Sequence, residues 1–259
     1  MKFPFQHVPL PRYLLLAHQK VQNLRLSAIL GLAKLVESRD QETGLHLERI
    51  QEYVKLLASE LARNPKYTDI ISEDYIKDLG MSSILHDIGK MGMPDSILLK
   101  PGPLAPDEFA FMKEHTRLGE EILQNVESMV NGQELLSLGK DIALSHHERW
   151  DGKGYPFGLQ GMQIPLAARM VSLADVYDAL TSRRCYKAAY THNQAVRSIV
   201  DEKGGHFEPD IVDAFVAKEQ SFDYLRQKMK YQHKGPVPEL SRSIPIKKQT
   251  AGIRPVASG

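Results

Sequence analysis

Cysteine is nearly missing from this chain. Cys185 is the single one among 259 residues, so no internal disulfide can form and no thiolate cluster can hold a metal. Any ion bound here must take nitrogen and oxygen ligands. Long apolar runs are missing too: the longest uncharged one, Ala28 to Ala33, falls far short of the roughly 20 residues of a membrane-crossing helix. Met1 to Arg12 lacks the basic start and cleavage site of a secretory signal. Neither sign of charge is in excess, and a net charge of +1 gives no global field for a nucleic-acid polymer or an anionic membrane. Together these absences predict a cytoplasmic protein without a membrane span.

What the sequence has in quantity is helical spacing, with no clear period-two strand and no internal repeat. Leu14, Ala17, Val21, Leu24, Ala28, Gly31 and Leu35 recur three or four apart and predict one face of a helix over residues 12–38. That face could pair two chains into a homodimer. Alanine and glycine in the seam favour covering the chain's own core instead. A second helix carries His46, Ile50, Val54, Leu57 and Leu61 on one side until Asn64-Pro65 ends it. Ser72, Glu73 and Asp74 start a third, whose inner face runs through Ile76, Leu79 and Ser83 to His86 and Asp87 before Gly89, Gly92 and Pro94 stop it.

Pro106-Asp107-Glu108 opens a helix with the face Phe111, His115, Leu118, Ile122 and Val126. After a turn at Asn131-Gly132, another runs through Leu135, Leu138 and Ile142 to the pair His146-His147. A loop with Gly152, Gly154, Gly158 and Gly161 leads to a helix from Leu166 that is apolar almost all round, which predicts a buried Asp175. Helices over 193–203 and from Pro209 to about Met229 follow. The fold class is all-α, divided into an N-terminal segment with one helix (1–36), a helical domain (37–230) and a basic, proline-containing tail (231–259) of disordered composition.

Five of the ten histidines, His46, His86, His115, His146 and His147, fall on inner faces or at ends of these helices. One inward histidine is ordinarily a hydrogen-bonded core residue. Five, accompanied by Glu42, Asp87 and Asp175, form a different pattern, because a buried carboxylate needs a cation and few arginines stand at matching helical positions. Glu42 and His46, four apart, can share an ion on a continuous helix. Neighbours such as His86-Asp87 or His146-His147 diverge by about 100° on a helix and suit adjacent ions, with Asp87 able to bridge two of them. Mixed imidazole and carboxylate ligands suit iron, manganese or zinc. Two or three divalent ions outweigh three carboxylates, so the pocket attracts an anion such as a phosphodiester, with Lys90 adding charge at the rim.

The stretch His86-Asp87-Ile88-Gly89-Lys90 resembles the mark of the HD superfamily of metal-dependent phosphohydrolases. His146-His147-Glu148-Arg149-Trp150-Asp151-Gly152-Lys153-Gly154-Tyr155-Pro156 resembles the signature of its HD-GYP subfamily, bacterial cyclic di-GMP phosphodiesterases, and the likeness extends over about residues 37–216. The resemblance implies an HD-domain helical bundle with the additional HD-GYP helices. It implies a metal set of Glu42, His46, His86, Asp87, His115, His146, His147 and Asp175 that holds two or, given Glu42 and His46, three ions, iron or manganese by preference. It also implies substrate contacts from Lys90, Asp178, Arg184 and Lys187, with the Gly154-Tyr155 loop alongside and protein partners possible at that loop. Two positions depart from the pattern: Cys185 stands where the family commonly has proline, and Glu208 where it has aspartate. His206 reads as structural.

The implied reaction is hydrolysis of cyclic di-GMP to pGpG, and onward to GMP, by a metal-bridging hydroxide, with Asp87 and Lys90 as catalytic residues. Two alternatives stand beside it. One is an HD phosphohydrolase for another cyclic dinucleotide or a nucleoside phosphate, against which the complete Gly-Tyr-Pro loop speaks. The other is a non-catalytic scaffold that senses the dinucleotide, which has no need of an activated water.

Overall fold

Helix-forming faces meet around two apolar clusters in the computed structural model, which describes residues 12–39, 45–129, 134–182 and 189–232. Ten α-helices are found among the described residues, and no extended strand. They are α1 (Arg12–Glu37), α2 (His46–Leu61), α3 (Glu73–Ser83), α4 (Asp95–Leu98), α5 (Pro106–Lys113), α6 (His115–Met129), α7 (Glu134–Ser145), α8 (Leu166–Thr181), α9 (His192–Asp201) and α10 (Pro209–Gln232). Short 3-10 turns cover Ile88–Gly92 and Gly161–Gln163. No helix among the described residues is long and apolar enough to cross a membrane. Glu42, Asn131, Gly132, Arg184, Cys185, Lys187 and the tail beyond residue 232 lie outside the described residues.

The larger cluster joins α2, α8 and α10. Tyr53 of α2 stacks on Phe222 of α10 at 4.5 Å between ring centroids and meets Tyr177 of α8 edge-on at 5.3 Å. Ile50, Val54, Leu57, Met170 and Phe215 fill the space around these rings, all fully buried. The smaller cluster takes Ala33 from α1, Leu47, Ile84, Leu85, Leu123, Leu136 and Ala143. Of the candidate ligand residues, His46, His86, His115 and His146 are buried.

Four expectations are corrected by the structure. The face of α1 expected on the core points outward, with Val21, Leu24 and Leu35 exposed, while Ala33 and Val36 on another face are buried. Second, α2 starts at His46. Leu45 before it is left-handed, φ 71°, a corner that takes the chain off the helix axis, so α2 does not run back through Leu45 toward the expected partner position Glu42, which lies outside the described residues. Third, α3 ends at Ser83, whose hydroxyl donates to the carbonyl of Gly80 at 2.8 Å. His86 and Asp87 therefore sit in tight turns beyond the helix. Fourth, the helix expected from Pro106 onward breaks at Glu114. The inner face of α6 is His115, Gly119 and Leu123, which leaves Phe111 and Val126 exposed.

Two glycines let these pieces approach. A Cβ on Gly89 would stand 1.9 Å from the carbonyl oxygen of His115 and 2.5 Å from the amide nitrogen of Gly119. Backbone thus packs on backbone where the Ile88–Gly92 turn crosses α6. Any side chain there would separate Asp87 from His115.

Candidate metal centre

His86, His115 and His146 are each turned inward by their own backbone. Nδ1 of His86 donates to the carbonyl of Ser83 at 2.8 Å, that of His115 to Met112 at 2.7 Å, and that of His146 to Ile142 at 3.0 Å. A carbonyl only accepts, so each Nδ1 carries a proton and each ring turns its Nε2 toward the cluster. His46 is held differently, by a 2.8 Å bond from its Nδ1 to the Asp178 carboxylate of α8.

Seven of the expected ligands converge in two groups. Asp87, His115, His146 and His147 form one, and His46, His86 and Asp175 the other, the potential ligand atoms of each lying within 4.8 Å of one another. The groups adjoin. His46 Nε2 and His86 Nε2 are 3.5 Å apart, His86 Nε2 is 3.3 Å from Asp87 Oδ2, and Asp87 Oδ1 faces His115 Nε2 at 3.3 Å and His146 Nε2 at 3.7 Å. The adjacent residues His86 and Asp87 thus serve different groups. His146 and His147 serve the same one: α7 ends at Ser145, and past its end the two rings lie only 4.0 Å apart and tilted, against the divergence expected on a helix. Asp175 is less buried than expected, its side chain 21% exposed, with Oδ1 3.9 Å from His46 Nε2.

Whether this donor set fits metal ions can be tested on three atoms. Asp87 Oδ1, His115 Nε2 and His146 Nε2 are buried without a hydrogen-bond partner among the described residues. All three are acceptors pointed at one another. Leaving such atoms together without a positive charge costs on the order of 1–3 kcal/mol for each. A divalent cation satisfies all three at once, and the set of imidazoles and carboxylates fits it. Protonation is the other way to supply charge, and burial opposes it: His146 is held below the ordinary imidazole value by burial, and His147 well below it by burial together with His146 and His115. Burial also opposes ionisation of Asp87, but the charges of Lys90 and His86 more than offset it and keep the carboxyl well below the usual range. Lys90 Nζ lies 2.6 Å from Asp87 Oδ2, at the edge of the cluster.

Asp178, expected at the substrate, is engaged by two side chains of α2. It is 2% exposed, and it takes Arg49 Nε at 2.6 Å as well as the His46 ring. These partners overcome burial and bring its pKa down to about 2. Its geometry is that of a carboxylate that orients a candidate ligand histidine. Arg49, inside α2, is one of the few arginines at a matching helical position, and it supplies the cation for Asp178.

The loop after His147 is built around a residue that the sequence reading passed over. Glu148, 2% exposed, accepts the backbone N–H of Phe157 at 2.8 Å and that of Leu159 at 3.0 Å. Gly154 packs on this same backbone, where a Cβ would stand 2.4 Å from the Arg149 nitrogen. The Tyr155 ring then lies flat on His147, 4.7 Å between centroids and 28° between planes. A carboxylate at the head of a loop rich in glycine and aromatic residues was the available signal.

Comparison with known proteins adds three relatives. A family model described as HD domain matches residues 31–211. A cyclic di-GMP phosphodiesterase of Vibrio cholerae is 51% identical over 203 residues, covering 78% of this chain and 41% of the relative. A cyclic di-GMP phosphodiesterase of Thermotoga maritima is 42% identical over 199 residues, covering 76% and 50%. A 3'3'-cGAMP-specific phosphodiesterase of Vibrio cholerae is 39% identical over 198 residues, covering 76% and 35%. The chain spans half or less of the length of these relatives.

Proposed function

The chain belongs to the HD-domain family, and on that premise we propose that it is a metal-dependent phosphodiesterase that hydrolyses cyclic di-GMP to pGpG and then GMP. The observation that carries the reading is the trio of buried, mutually facing acceptors on Asp87, His115 and His146. One ion would be held by Asp87, His115, His146 and His147, and a second by His46, His86 and Asp175, with Asp87 between them. Glu42 would serve a third. Iron or manganese suits nitrogen and oxygen donors in this proportion. Such ions supply Lewis-acid charge to a phosphodiester and make water easier to deprotonate near neutral pH.

The chain's own groups do the rest. The histidine rings are preset by backbone carbonyls, so little reorganisation is needed on binding. Lys90, 15% exposed beside Asp87, has its ammonium group where it can meet a phosphate oxygen or give a proton to the departing ribose oxygen. Water adds to phosphorus, the bond from phosphorus to the ribose 3′-oxygen breaks, and that oxygen takes up a proton. The Gly154-Tyr155 loop walls the site. Arg184 would grip a second phosphate with paired N–H groups and Lys187 with a point charge. A cytoplasmic location agrees with the lone Cys185. The exposed Val21, Leu24, Leu32 and Leu35 of α1 support pairing of two chains along that helix.

The test is protein loaded anaerobically with Fe(II) or Mn(II), incubated with cyclic di-GMP and followed by chromatography. Linear pGpG is expected. Fully metallated protein that leaves the dinucleotide intact overturns the proposal. Cleavage of 3'3'-cGAMP in its place would favour the substrate named for the third relative.

A further inference from the structure

Aromatic rings lead outward from the metal centre in steps. Tyr155 lies on His147 at 4.7 Å, and Phe109 of α5 meets Tyr155 edge-on, 6.3 Å between centroids and at 80°. Lys113, one turn after Phe109, holds its ammonium 4.9 Å from the centre of the Phe109 ring and 5.3 Å from that of Tyr155. Phe109 is nevertheless 46% exposed. A benzyl ring left this open, with an ammonium at its face, keeps a stacking surface beside a charged site, and Phe157, 55% exposed beneath the Arg117 guanidinium at 4.9 Å, repeats the arrangement on the Tyr155 loop.

We propose that Phe109, Lys113 and Tyr155 form the subsite that reads a guanine base of the substrate; this rests on the phosphodiesterase reading above. A base joined through one ribose to a phosphate at His147 lies one or two rings away from it, the place that Tyr155 and Phe109 occupy. Phe109 supplies the stacking face, which any base can use. Lys113 supplies discrimination. Guanine turns two acceptors, O6 and N7, toward an ammonium, whereas adenine pairs its N7 acceptor with an N6 donor that an ammonium repels. The subsite therefore favours guanine over adenine and a purine over a pyrimidine.

The test compares metal-loaded wild type with Phe109→Leu, Phe109→Trp and Lys113→Met on cyclic di-GMP, 3'3'-cGAMP and cyclic di-UMP, with calorimetric titration of each dinucleotide alongside. Phe109→Leu is expected to raise KM and Kd for cyclic di-GMP about tenfold with kcat within about twofold, and Phe109→Trp to restore both. Lys113→Met is expected to lower the preference for cyclic di-GMP over 3'3'-cGAMP about tenfold. Unchanged KM and Kd in both variants, or an equal fall of kcat on all three substrates, overturns the subsite. Wild type that binds cyclic di-GMP without cutting it counts against the phosphodiesterase alone, and the titrations still decide the subsite; wild type that does not bind it overturns the subsite directly.

Discussion

Asp87 Oδ1 and His115 Nε2 lie 3.3 Å apart, two acceptors facing one another in a buried space while the imidazole proton is engaged on the far side of the ring by Met112. Only a positive charge makes that pair favourable. Asp87→Ala should therefore lower the metal content of anaerobically purified protein and cut hydrolysis by more than about 100-fold, since even an outer partner of a ligand is worth about 10- to 100-fold. Elemental analysis checks it. Metal content equal to wild type would contradict the assignment of Asp87 as a ligand.

Asp178 and His46 give a more selective outcome. Asp178→Asn removes the carboxylate that orients His46 and balances Arg49, and should weaken metal binding at His46, His86 and Asp175 by about 10- to 100-fold. The group around His115 should keep its ion. Stoichiometry measured during stepwise titration with Mn(II) distinguishes loss of one class of ion from loss of all.

Glu148→Ala leaves the Phe157 and Leu159 amides without their acceptor. Each bond to a carboxylate contributes about 1.5–3 kcal/mol. Amide exchange at those two residues should speed up by about one to two powers of ten, the factor those energies imply, with little change at buried positions of α2 and α8. Uniform acceleration across the chain would show that Glu148 supports the whole fold instead of the loop.

Gly89→Ala tests backbone contact. The added methyl would meet the His115 carbonyl at 1.9 Å, so the Ile88–Gly92 turn must move away from α6. Overpacking of this kind costs about 1–3 kcal/mol. A lower melting temperature together with lower metal content is expected, and retention of full metal content at wild-type affinity would refute the link between this contact and the centre.

His206 predicts the pH response. Burial, reinforced by Arg149, lowers its pKa from 6.5 to about 4. The unfolded chain therefore binds more protons than the folded one between about pH 6.5 and 4, and stability falls as pH drops through that window, by on the order of 3 kcal/mol when complete. His206→Gln should show a flatter fall in urea unfolding between pH 7 and 4.5, by up to one proton in slope. An identical slope would show that His206 does not contribute.

Residue spacing foretold the helices and most of the cluster because both depend on local pattern. The inward side of α2 and the burial of His115 and His146 are visible at three- and four-residue spacing. Breaks were harder to see. The end of α3 depends on the Ser83 hydroxyl bonding back to the Gly80 carbonyl, which a polar residue supplies without a period. The roles of Glu148 and Arg49 depend on partners 9 to 129 positions away, and no spacing rule reaches that far. Asp178 shows the same limit: a buried aspartate on α8 looks alike in sequence whether it meets a nucleotide, an ion or an arginine.

Each of His86, His115 and His146 hangs from a carbonyl three or four positions back along its own chain. Their aim is inherited locally, ring by ring. Loss of one leaves the others pointing where they did, so damage to this cluster accumulates stepwise and does not spread as a collapse. His46 differs, since its posture is set by Asp178 of α8, 132 residues away, and α8 also carries Asp175, so a disturbance of that helix reaches the cluster through both side chains.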